Sequence, residues 1–134
     1  MTLIETCVSV AIMSAATMIA IPALIQSKDD YVLKATANDV ASRLHAARIR
    51  AVSRNIDCRM RVTSTSGYAV ECQEPAWTVV EVIPLPRGFT IAANAKPEFH
   101  RLGNVSPTGT VTVTNPAGRS RKIVVNNAGR IRVD

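Results

Sequence analysis

The chain of 134 residues carries 16 Lys and Arg against 10 Asp and Glu, a formal charge of +6, with 47% apolar residues, 4% aromatic residues and three cysteines. That is one domain's worth of protein, and outside its long N-terminal apolar run too little chain remains for a second domain or a buried cofactor cavity, which excludes large multi-domain enzymes. The basic excess collects late: segment 119–134 holds Arg119, Arg121, Lys122, Arg130 and Arg132 against Asp134 alone.

Residues 1–55 read as a helical block, rich in Ala, Leu, Ile, Met and Arg and free of glycine. Between Glu5 and Lys28 lie 22 residues without an acidic or basic side chain, enough to cross hydrocarbon at roughly 1.5 Å per residue. Beyond them Leu33, Ala37, Val40, Leu44, Ala47 and Ala51 recur at helical spacing and form one apolar stripe, with Arg43, Arg50 and Arg54 facing elsewhere. Pro22 lacks a backbone donor and clashes with the turn before it, so a kink or an unwound stretch is expected there. Asp29 and Asp30 read as a solvated face just past the apolar run.

From residue 56 the pattern changes to β-branched residues at period two. Short strands are predicted near 58–64, 68–73, 77–83, 88–92, 98–102, 110–115, 120–126 and 130–133, separated by Pro and Gly turn signals. The chain thus divides into an apolar helix (1–27), an amphipathic helical half (28–55) and a β-rich globular part (56–134). Thr63 to Gly67 reads as a hairpin turn, and pairing Thr63 with Gly67 sets Cys58 opposite Cys72. A disulfide is expected there. It would close a loop worth about 3 kcal/mol on the chain-entropy model and implies an oxidising compartment.

No catalytic constellation is visible, so no enzyme activity and no cofactor are expected. His45 and His100 stand alone, without a neighbouring nucleophile or metal-ligand spacing, and no metal site is expected. The N-terminus is more informative. No Lys or Arg precedes the apolar run and Glu5 stands where a signal peptide needs positive charge. An acid at the edge of a spanning segment needs a partner, and the nearest cation is the α-amino group of residue 1.

Thr2-Leu-Ile-Glu5 followed by about twenty apolar residues and Pro22 resembles the mature N-terminus of type IV pilins and type II secretion pseudopilins. The resemblance implies an α+β, type IV pilin-like fold: one long N-terminal helix, kinked near Pro22, packed on a C-terminal antiparallel β-rich domain. It further implies cleavage by a prepilin peptidase before Met1, methylation of the new N-terminus, and assembly through Thr2, Glu5 and Pro22. The chain would reside in the bacterial inner membrane and then join a homo- or hetero-polymer with other pilins via residues 1–25, as an extracellular or periplasmic filament. Family members usually begin with Phe. Met1 is read here as the first mature residue, the alternative being an initiator.

The second half resembles the GspH/FimT class of minor pilins through Glu98-Phe-His-Arg-Leu-Gly103, Gly109-Thr-Val-Thr-Val and Arg121-Lys-Ile-Val-Val-Asn-Asn-Ala-Gly129-Arg-Ile-Arg132. Some FimT-like members bind DNA through a Gly-Arg-x-Arg segment and a neighbouring basic loop, which implies Arg130 and Arg132, with Arg119, Arg121 and Lys122 as neighbours, and duplex DNA as a partner. In the residues themselves, Arg130 and Arg132 alternate with Ile131 and Val133, so a strand would point both guanidinium groups outward. Such a row suits phosphate contacts, and it equally suits a solvated edge that deters sheet addition. Three classes stay open: a DNA-handling minor pilin, a type II secretion pseudopilin and a principal filament subunit.

Overall fold

The computed structural model describes residues 2–134; Met1, where processing and N-methylation are expected, lies outside the described residues. Helix α1 spans Leu3–Arg54. It starts on a reciprocal cap: the Glu5 amide donates to the Thr2 hydroxyl and the Thr2 amide to the Glu5 carboxylate, both at 3.4 Å. It ends where Asn55 turns left-handed at φ 57° and the Ile56 amide reaches back to the Ala51 carbonyl at 3.1 Å. Pro22 lies inside the helix with helical residues on both sides, so the unwound alternative does not occur.

The chain divides into two compact units, one ending at Val32 and one spanning Leu33–Asp134. In the first, every described residue up to Lys28 is exposed, including Leu3, Ile4, Met18, Ile19 and Leu24. In the second, the whole expected stripe is buried, joined by Thr36 and Ala41. Arg43 and Arg54 do not simply face solvent. They pair with Glu81 and Glu74 of the β-rich part.

Eight strands follow: β1 (Cys58–Ser64), β2 (Gly67–Gln73), β3 (Trp77–Pro84), β4 (Thr90–Ala93), β5 (Glu98–Phe99), β6 (Gly109–Thr114), β7 (Ser120–Val125) and β8 (Ile131–Val133). They form two four-stranded sheets, ordered β3-β2-β1-β5 and β4-β6-β7-β8, and every ladder is antiparallel. The fold is the expected one, a long helix packed through its second half on antiparallel sheet. β5 is shorter than its expected span because His100 to Asn104 closes a tight turn, the His100 amide bonding the Asn104 carbonyl at 2.9 Å.

In the first hairpin Ser64, not Thr63, pairs with Gly67, and a register shift between Val62 and Ser64 absorbs the extra residue. Cys58 therefore still faces Cys72, and the two form a disulfide. The opposite face of this sheet carries Arg59, Arg61 and Glu71. The Glu71 carboxylate is 5% exposed and accepts from Arg59 at 2.8 Å and Arg61 at 2.7 Å, while the Arg59 guanidinium lies 4.0 Å above the Trp77 ring. Burial pushes the Glu71 carboxyl upward, but the two guanidinium hydrogen bonds outweigh it and hold the group below its ordinary value.

In the second sheet the alternation is clean: Val111, Val113, Ile123 and Val125 are buried, while Thr110, Thr112, Lys122 and Val124 lie on the outer face. The turn between β7 and β8 is held from the helix. Arg48 Nε donates to the Gly103 carbonyl at 3.0 Å and Nη2 to that of Ala128 at 3.4 Å. Gly129, at φ 81°, sits against this clamp. A Cβ there would overlap the Gly103 carbonyl oxygen and approach Arg48 Nε to 2.6 Å.

Two outcomes follow for the full chain in detergent. Gly129→Ala should destabilise the β-rich unit by about 2 kcal/mol or more in denaturant unfolding, since both the positive φ and the overlap must be relieved; a change within error would show that the clamp is slack. Glu71→Gln should cost about 2 kcal/mol at neutral pH. Because the folded-state pKa is depressed, the Glu71 contribution is fully present above the ordinary value of 4.5 and fades as pH falls through the lower folded value. Wild type and variant should therefore converge in acid, and a pH-independent gap would refute the charge-based account.

Candidate functional site

The outer face of the second sheet holds the basic cluster. Asn126 shapes the β7–β8 turn: its amide bonds the Arg130 carbonyl at 3.0 Å, and its side-chain oxygen accepts the Arg130 amide at 2.8 Å. The register then puts Arg132 opposite Val124, two residues from Lys122 on the same face. Arg130, Arg132, Asn126 and Val124 line a shallow hollow of about 250 Å³. Both arginines are exposed. Ile131 and Val133 are only half-buried, because β8 is an edge strand.

The other two expected neighbours are elsewhere. Arg121 pairs with buried Val113, which puts it on the core side of β7, half-buried. Arg119 lies in the β6–β7 turn, at the far end of β7 from Arg130, a separation of roughly 20 Å at strand rise. Asp134 adds a feature that strand patterning did not reveal. Its two carboxylate oxygens take Arg132 Nε at 2.7 Å and Nη2 at 3.0 Å, and this bidentate pair raises the Arg132 pKa further. The signal was the i, i+2 spacing on one strand, which places Arg132 and Asp134 on the same face.

In the first unit, the Glu5 carboxylate has an intrachain partner, the Thr2 amide at 3.4 Å. The spacing Thr-x-x-Glu is the readable sign of this contact. The cap satisfies a donor yet leaves the negative charge in place. α1 is long and apolar enough to cross a membrane.

A third grouping was invisible in sequence. β5 pairs with the start of β1, Cys58 with Phe99 and Arg59 with Glu98, which continues to bring Asp57 opposite His100. His100 Nδ1 lies 3.4 Å from Asp57 Oδ2 and 4.0 Å from Glu98 Oε1, and its Nε2 is 3.1 Å from the Ser106 carbonyl. His100 is therefore not solitary. His45 is exposed on the helix.

Residues 36–129 match a family model described as type II transport protein GspH. No curated protein sequence matches the chain. Among solved structures, the fold is similar to that of the type IV minor pilin FimU of Pseudomonas aeruginosa, with TM-score 0.62 and 18% identity over 76% of this chain and 87% of that one. It is also similar to the minor pseudopilin EpsH of the Vibrio cholerae type 2 secretion system, with TM-score 0.66 and 13% identity over 76% of this chain and 95% of that one. The family model spans most of the chain and the shared fold is that of minor pilins and pseudopilins, so the chain belongs to the GspH family.

Proposed function

We propose that the chain is a structural, non-catalytic subunit of a type IV pilus or a related secretion pseudopilus, inserted in the bacterial inner membrane before assembly and polymerised with other pilins through residues 1–25. The observation that carries this reading is the apolar first unit, whose side chains from Leu3 to Ile25 are exposed all round the helix. Such a surface is stable only in lipid or against other apolar helices. Met1 would be the residue exposed by a prepilin peptidase and methylated there. Its ammonium would pair with Glu5 of a neighbouring subunit, a desolvated pair that fixes axial register more than it adds stability. Pro22 falls within the same packed segment.

A second reading gives the basic face a ligand. Arg130 and Arg132 line one hollow with Lys122 on the same face, an arrangement suited to phosphates of duplex DNA with little sequence preference. It would add DNA handling to a minor pilin.

The assembly reading separates cap from charge. Glu5→Gln keeps an acceptor for the Thr2 amide but removes the negative charge. Both Glu5→Gln and Glu5→Ala should therefore vanish from the sheared filament fraction of the native host while remaining folded in the membrane. Normal incorporation of Glu5→Gln would refute a charge-pairing role.

The DNA reading predicts that changing Arg130 and Arg132 together to Gln abolishes retention of duplex DNA at low salt, whereas Asp134→Asn, which frees Arg132, strengthens it. With Lys122, Arg130 and Arg132 as contacts, the log-affinity slope against log salt should be no steeper than about −2.7. Retention indifferent to all three positions would leave these arginines as a solvated edge.

A further inference from the structure

We propose that Asp57, Glu98 and His100 form a three-ligand site for a divalent transition metal, with zinc as the best fit. The three donor atoms lie within 4.8 Å of one another on half-buried side chains, at the edge of the first sheet where β5 meets β1.

The geometry around the imidazole carries the inference. The Ser106 carbonyl can only accept, so Nε2 at 3.1 Å donates to it, and in the neutral ring of that tautomer Nδ1 turns its lone pair toward Asp57 and Glu98. Three lone pairs then converge in an arrangement that suits a cation. A proton on Nδ1 serves poorly, because the carboxylate oxygens at 3.4 and 4.0 Å lie beyond the ordinary N–H···O range of about 2.7–3.2 Å. A zinc ion about 2.0–2.2 Å from each ligand spreads its donors more widely than a shared proton does, and these spacings suit it after small side-chain adjustments.

Outer contacts support the same assignment. A metal-binding histidine commonly donates its other N–H to a carbonyl, as His100 does here to Ser106, which fixes tautomer and ring orientation. Asp57 is held likewise: its Oδ1 accepts the Arg101 amide at 3.1 Å, aiming Oδ2 at His100. The donor set selects the ion. Calcium takes six to eight oxygens and magnesium an octahedron, whereas one imidazole, two carboxylates and an open fourth position suit zinc. The fourth position can take water or a side chain from another subunit. Metal binding would brace β5, a strand of two residues, against β1 next to the disulfide-bonded Cys58.

The test uses untagged full-length chain in detergent, stripped with chelator and titrated with Zn²⁺ alone by calorimetry. One equivalent should bind at micromolar affinity or tighter, Co²⁺ in its place should give visible ligand-field absorption, and Mg²⁺ and Ca²⁺ should not compete. His100→Gln and Glu98→Gln should each weaken binding by about tenfold or more, while His45→Gln changes nothing. Since His100→Gln also removes the bond to Ser106, its fold is checked by circular dichroism, and the wild-type His100 ring resonance supplies an independent readout by shifting on Zn²⁺ addition. No saturable uptake, equal losses from His45→Gln and His100→Gln, or a His100 ring that responds to acid but not to Zn²⁺ would each overturn the metal site; the last outcome would assign the cluster to a shared proton.

Discussion

Four of the eight buried positions on the second half of α1 are alanine: Ala37, Ala41, Ala47 and Ala51. These small side chains contribute little bulk, so most of the volume that fills the core comes from the strand side, from Met60, Tyr68, Phe99, Ile123 and the valines of β6. Leu33, Val40 and Leu44 punctuate the stripe at about 1.5–3 kcal/mol each on burial. The globular unit has no other helix among the described residues, so this one contact orders both sheets. It also sets what the flanks of the helix can reach. Arg48, beside the stripe, meets the carbonyls of Gly103 and Ala128, and the turn that presents Arg130 is therefore positioned from the helix.

The same helix begins in a different regime. Up to Lys28 every described residue is exposed, and the apolar residues are spread around the axis rather than gathered in a stripe. Local chemistry there is limited to closing the helix end. The Thr2–Glu5 cap engages the amides of both residues, and the Glu5 amide also reaches the Thr2 carbonyl at 3.1 Å. A neutral glutamine would cap almost as well, so the cap alone does not require an acid at Glu5.

Much of this was legible in the sequence because it depends on short-range periodicity. The stripe from Leu33 to Ala51, the change of period near residue 56, and the antiparallel return of β8 on β7 after Asn126 to Gly129 all follow from spacing within a few residues. Cys58 facing Cys72 was legible through its turn, although the turn itself lies one residue later and a bulge restores the register. What spacing did not reveal was contact between distant segments. Arg48 meets Gly103 across the fold, Glu71 collects Arg59 and Arg61 from the facing strand, and Asp57 meets His100 only because β5 pairs with the start of β1. The basic cluster was legible by composition but not by side. Arg121 and Lys122 are adjacent in sequence, and a strand sends them to opposite faces.

The two arginines of the Gly-Arg-x-Arg segment share a face but are unequal. Arg130 precedes β8, its backbone fixed by both the main chain and the side chain of Asn126, and no acid pairs with it among the described contacts. Arg132 lies within the strand and shares its charge with Asp134 through two hydrogen bonds. The pair is exposed, so water and salt screen it heavily, and a phosphate offering the same bidentate geometry competes for the guanidinium on nearly even terms. Asp134 thus lowers the resting positive potential of the hollow without closing it. On the proposed DNA reading, a phosphate would have to compete with Asp134 for Arg132.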